Sequence, residues 1–72
     1  MEHSLDWLPL TRRERELAAE ILNGRSNRAI AAFFHVSEQT VRNQLTTLYR
    51  KLGVASRLEL AARLRSPHHP SR

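Results

Sequence analysis

The side chains with the most chemical potential sit together between Ser37 and Leu52. They are Gln39, Thr40, Arg42, Asn43, Gln44, Thr46, Thr47, Arg50 and Lys51. All are amides, hydroxyls or cations, and no acid occurs from Gln39 to Lys51. An arginine fork matches the O6 and N7 acceptors of guanine, and an Asn or Gln amide matches N6 and N7 of adenine. Hydroxyls donate to phosphate oxygens, while Arg and Lys neutralise them. Val41, Leu45, Leu48 and Leu52 recur at spacings of four, three and four, which places them on one face of a helix. The polar set must then occupy the opposite face. An ordinary solvated helix intersperses acids for i, i+4 pairs with its cations. Here the single acid is Glu38, in the first turn, where the helix dipole favours it. The chemistry on offer is recognition of a polyanion.

Catalysis finds no foothold. There is no Ser/His/Asp arrangement, no phosphate-cradling glycine loop and no carboxylate pair in apolar context. Both glycines stand where helices should end. Cysteine is absent, which excludes disulfides and Cys-based zinc sites. His35 reads as a surface residue of a turn, and His68-His69 as part of a loose tail, so no metal or other cofactor is implied. The chain is not an enzyme on this reading. With 72 residues it is one domain at most, and its core must be small. The longest apolar run, Ala29 to Phe34, is far short of the ~20 residues of a membrane span. No secretory signal is evident, so no membrane is involved and the expected location is cytoplasmic.

The net charge of +5 is unevenly placed. Residues 1–38 carry six acids against five arginines, a net of −1. Residues 39–72 carry seven Lys and Arg against the single acid Glu59, a net of +6. Such asymmetry points to an acidic partner.

Four helices must position these groups, over about residues 12–23, 27–34, 38–52 and 57–65. Thr11 and Glu14 form a capping box for the first, with Leu17, Ala18, Ile21 and Leu22 as its stripe and Gly24 as its stop. Ser26 or Asn27 caps the second, which buries Ile30, Ala31 and Phe34. Ser37 caps the third, and Gly53 ends it. Ser56 and Glu59 form a second capping box, and Ser66-Pro67 stops the fourth helix. No strand pattern occurs. The fold class is all-α, a compact four-helix bundle. Residues 1–9 read as an N-terminal extension or linker, from which Leu5, Trp7 and Leu8 could drape over the core. Residues 66–72 read as a disordered tail. Arg57 is expected either to pair with an acid of the first helix or to touch phosphate, with the structural role slightly favoured.

Only His35-Val36-Ser37 joins the second and third helices. Two helices across so short a turn form a helix-turn-helix, whose second helix can lie in the major groove of DNA. The residues then carry a resemblance. Leu10–Glu16, Gly24–Ala31, Val36–Leu45, Tyr49–Val54 and Ser56-Arg57 stand in order and at family spacing, so that Leu10 to Leu64 resembles the LuxR/GerE-type (FixJ/NarL-like) DNA-binding domain. The resemblance implies the same four-helix bundle over residues 10–65. It also implies that the fourth helix forms a dimer contact. By position, Arg42, Asn43 and Thr46 match places from which the family reads base edges, and Asn27, Thr40 and Lys51 match places near phosphates. The chain departs from the family pattern at Arg12, where Pro is common, at Gln44, where His is common, and at Thr46, where a Lys is known. Ala29 and Phe33 replace charged residues, so Phe33 should be partly exposed, either packed on Trp7 or a nearby turn or in contact with a further domain or the polymerase.

The sequence therefore predicts sequence-specific binding of double-stranded DNA, as the output module of a bacterial transcription regulator. Base contacts fall to Arg42, Asn43 and Thr46. Phosphate contacts fall to Asn27, Thr40, Gln44, Thr47, Arg50 and Lys51. Leu58, Leu60, Ala61 and Leu64 are the candidates for a homodimer contact, and RNA polymerase is a further possible partner. Two alternatives remain open here. One is a promoter-reading domain like region 4 of a sigma factor, against which the family-like fourth helix argues. The other is a helical protein-interaction adapter that never touches DNA.

Overall fold

The computed structural model describes residues 8–65. Within them lie four helices and no strand: α1 (Arg12–Leu22), α2 (Asn27–Phe34), α3 (Glu38–Leu52) and α4 (Arg57–Arg65). The expectation for Trp7, and those for the remainder of residues 1–7 and for 66–72, fall outside the described residues.

Each helix starts where a side chain can satisfy a free backbone N–H. Thr11 Oγ1 accepts from the Glu14 N–H at 3.1 Å, and Glu14 Oε1 accepts from the Thr11 N–H at 2.9 Å, so the expected box is complete. Ser26 is the cap of α2 and Ser37 that of α3. The box of α4 differs from expectation. Ser56 Oγ accepts from the Glu59 N–H, but the Glu59 carboxylate accepts from the Ala55 N–H, one residue further out.

The first three helices end alike. The N–H groups of Arg25, Val36 and Val54 each reach back five residues, to the carbonyls of Glu20, Ala31 and Tyr49. This closure needs one left-handed residue just before each donor. Gly24 (φ 79°) and Gly53 (φ 68°) serve in α1 and α3. His35 (φ 60°) serves in α2. The sequence put α1 one residue longer, through Asn23, but the left-handed Gly24 unwinds the chain there.

The apolar stripes meet in one core. Leu17, Ile30, Val41, Leu48 and Leu60 are fully buried, and Leu8 and Leu10, from the chain ahead of α1, join the same core. Helix α2 packs chiefly on α3, and α1 on α4, while α3 also touches α1 and α4. Arg63 of α4 donates to the Leu52 carbonyl at 2.8 Å. A cation at a helix C-terminus satisfies an orphan carbonyl and complements the dipole. The recognition-type helix α3 is thus fixed along its whole inner face, and only its polar face is left to solvent.

Candidate nucleic-acid interface

Burial of Val41, Leu45, Leu48 and Leu52 turns Gln39, Arg42, Asn43, Thr46, Thr47 and Arg50 outward, and all six are exposed. Three of them are already linked. Arg42 Nη2 donates to Gln39 Oε1 at 3.1 Å, and Gln39 Nε2 donates to Asn43 Oδ1 at 3.0 Å. Glu38 Oε1 lies 3.6 Å from the other Arg42 nitrogen, Nη1. Arg42 is therefore held over the first turns of α3 instead of sampling all its rotamers. Among the described residues, the Asn43 Nδ2 donors have no partner.

The threonines divide by which proton is free. Thr46 donates to the Arg42 carbonyl at 3.0 Å, and Thr47 to the Asn43 carbonyl at 3.3 Å. With the proton turned inward, each presents lone pairs and a methyl group outward. That suits Thr46 to a thymine methyl or a cytosine amine. Thr40 accepts from Ser37 Oγ, so its own proton can still go to a phosphate.

The flank of α3 facing α1 is arranged differently from expectation. Gln44 is half-buried and lines a cleft of about 170 Å³ with Thr11, Arg13, Glu14, Leu17 and Thr47. Its Oε1 is buried and has no hydrogen-bond partner among the described residues. The side chain sits between two helices, off the outer face on which a phosphate contact was expected. Lys51 donates to Glu14 Oε1 at 2.8 Å, so its charge is already paired. That same oxygen takes the Thr11 N–H. The Lys51 ammonium, and next the Thr11 N–H, hold the Glu14 carboxyl below its ordinary range.

At the other end, Arg57 Nη1 donates to Asn27 Oδ1 at 3.1 Å, and Nη2 donates to the Arg25 carbonyl. The expected acid of α1 is not its partner; the arginine instead ties the start of α4 to the start of α2. Asn27, Arg57, Gly24, Ser26, Arg28 and Glu38 surround an open hollow of about 650 Å³. The side chains of Arg28 and Arg50 make no hydrogen bond or ion pair among the described residues. Arg28 is not one of the residues the sequence singles out. Its signal was available: no acid stands three or four residues to either side of it. A free arginine at a helix N-terminus suits an anion.

The candidates on α4 also need correction. Leu60, Ala61 and Leu64 are buried in the chain's own core, at 0, 8 and 4% exposure. They cannot form a contact between copies without unfolding the bundle. Leu58, 79% exposed, is the one of the four that faces outward. Phe33 is also exposed, as its departure from the family pattern predicted. Its ring lies 5.3 Å from that of Phe34, which Arg13 covers from 4.1 Å.

Fold and face together define a helix-turn-helix domain with a basic, hydrogen-bonding third helix. The family described as bacterial regulatory proteins, luxR family, matches residues 8–64. The chain belongs to this family, and its helix-turn-helix is a DNA-binding domain of a bacterial transcription regulator. It is 48% identical over 55 residues to an uncharacterized transcriptional regulatory protein, YhcZ, of Bacillus subtilis, covering 76% of this chain and 26% of that one. It is 45% identical over 49 residues to the nitrate/nitrite response regulator protein NarP of Escherichia coli (68% and 23% covered). It is 41% identical over 56 residues to the transcriptional regulatory protein UhpA of Escherichia coli (78% and 29% covered). The chain spans about a quarter of the length of these relatives. No described helix is long and apolar enough to cross a membrane.

Proposed function

We propose that this domain reads double-stranded DNA sequence-specifically, with α3 in the major groove, as the output module of a larger regulator. The observation that carries the reading is the outer face of α3. It is exposed, free of acids beyond Glu38, and built of groups that match base edges. Arg42, Asn43 and Thr46 read bases. Thr40, Arg50, Asn27 and Arg28 hold phosphates, and Lys51 adds to them with a charge partly neutralised by Glu14; Thr47, whose proton goes to the Asn43 carbonyl, has none to give a phosphate. Gln44 has no part in the contact, because it faces α1. Two copies meet through the outer face of α4 around Leu58.

Site selection from a random duplex pool at two salt concentrations gives the operator. Arg42→Ala should then weaken binding to the selected site by about 1–3 kcal/mol and relax the preference at one base pair. Arg50→Ala should weaken all duplexes alike and reduce the salt slope by about one. An equal loss for Arg42→Ala on selected and scrambled DNA overturns its base-reading role. Binding that ignores salt altogether would instead identify a protein-interaction adapter.

A further inference from the structure

We infer that Gln39 is a positioning residue that locks Arg42 and Asn43 into one reading unit. The inference rests on the proposal that Arg42 and Asn43 meet base edges. Gln39 is exposed and adds nothing to the core. Both ends of its amide are nevertheless engaged, one by Arg42 and one by Asn43. The spacings are i, i+3 and i, i+4, the two that bring side chains together on one helical face.

The direction of this relay is forced by its first member. A guanidinium has donors and no acceptor, so Gln39 must give Arg42 its oxygen. The NH₂ end of Gln39 then faces Asn43, which must answer with Oδ1. Asn43 is left with its NH₂ turned outward and one lone pair still open on Oδ1. An isolated asparagine has no such fixed sense. Here the orientation is set two side chains away, by the charge of Arg42, with Glu38 bracing the guanidinium from the other side. The outward NH₂ meets N7 of a purine, and the open lone pair meets the amine of adenine. Gln39 thereby fixes which way Asn43 reads and keeps Arg42 over the neighbouring base pair.

The test uses the whole chain and the selected operator. Gln39→Ala should leave the melting temperature and the salt slope unchanged. It should relax preference at the base pairs of Arg42 and of Asn43 together, by at least about twofold each, the lower end of coupling between side chains in contact. In an Asn43→Ala background it should no longer affect the second of these base pairs. Gln39→Glu removes the donor to Asn43 and should change the preferred base at that position while sparing the Arg42 position. Without DNA, Gln39→Ala should shift the Asn43 side-chain amide resonances. Unchanged preferences in Gln39→Ala, where Arg42→Ala does relax them, overturn the positioning role alone. So does a loss confined to a third base pair, which would make Gln39 a direct reader. Should Arg42→Ala itself leave the preferences intact, the base-reading proposal and this inference fall together.

Discussion

Glu14→Ala should weaken the fold and strengthen DNA binding at the same time. One oxygen of Glu14 accepts the Thr11 N–H at 2.9 Å and the Lys51 ammonium at 2.8 Å. Truncation opens the reciprocal half of the α1 capping box, which contributes about 0.5–1 kcal/mol. It also breaks an ion pair whose acid is 14% exposed and whose lysine is 39% exposed. Solvent screening limits that pair to about 0.5–1 kcal/mol. The sum, about 1–2 kcal/mol, lowers the melting temperature of so small a domain by roughly 5–15 °C. Lys51 is released toward the phosphates at the same time, so the slope of log K against log salt should steepen by about 0.9. Thermal melts and a salt titration on one duplex read both effects. A melting temperature within about 2 °C of the parent refutes the clamp. An unchanged slope refutes the placing of Lys51 near phosphate. The clamp also sets a pH dependence. The folded carboxyl titrates below its unfolded value, so its contribution is present above the ordinary carboxylate range and fades as pH falls through the lower folded value. Glu14→Gln should therefore differ from the parent at neutral pH and converge with it in acid.

Four further outcomes follow from the structure. Leu60→Ser should unfold the domain or come close, because it puts an unpaired hydroxyl and a void into the core. Leu58→Ser should leave the monomer's stability unchanged and weaken self-association, read by sedimentation with and without an operator duplex. Arg57→Ala removes the link between α4 and the start of α2. It should destabilise by about 1.5–3 kcal/mol in urea unfolding, the range for hydrogen bonds to a charged group. Gly53→Ala meets open space, but its φ of 68° is unfavourable for a side chain, so a loss of about 1–2 kcal/mol is expected from the same assay.

The elements of this fold were legible because their signals are local. Thr11 with Glu14, Ser26, Ser37, and the two glycines mark starts and stops within a turn of chain, where capping physics acts. Burial of α3 followed from the period of Val41, Leu45, Leu48 and Leu52. The exposed face of α3 followed from the same period, since what is not turned inward must be turned out. Phe33 was legible as exposed because it replaces a residue type that prefers water.

What lay beyond the sequence was the partner of each polar group. Lys51 and Arg50 are adjacent cations on one helix, yet Lys51 is paired across 37 positions with Glu14 while Arg50 has no partner among the described residues. Gln44 shares the polar face by type, but its angle around α3 aims it at α1. Leu60, Ala61 and Leu64 could have served either a core or a contact between copies. The apolar residues of α4, Leu58 and Ala62 included, spread around the helix and give periodicity little to choose by, so only the docking of α4 on α1 decided it. Local sequence determined where the helices lie and which face of α3 meets solvent, because caps and periodicity act within a few residues. The tertiary structure decided which cations are free, which leucines are spent on the core, and how Arg42 and Asn43 are aimed. Those outcomes depend on side chains brought together from distant points in the chain, or on rotamers that no spacing rule specifies.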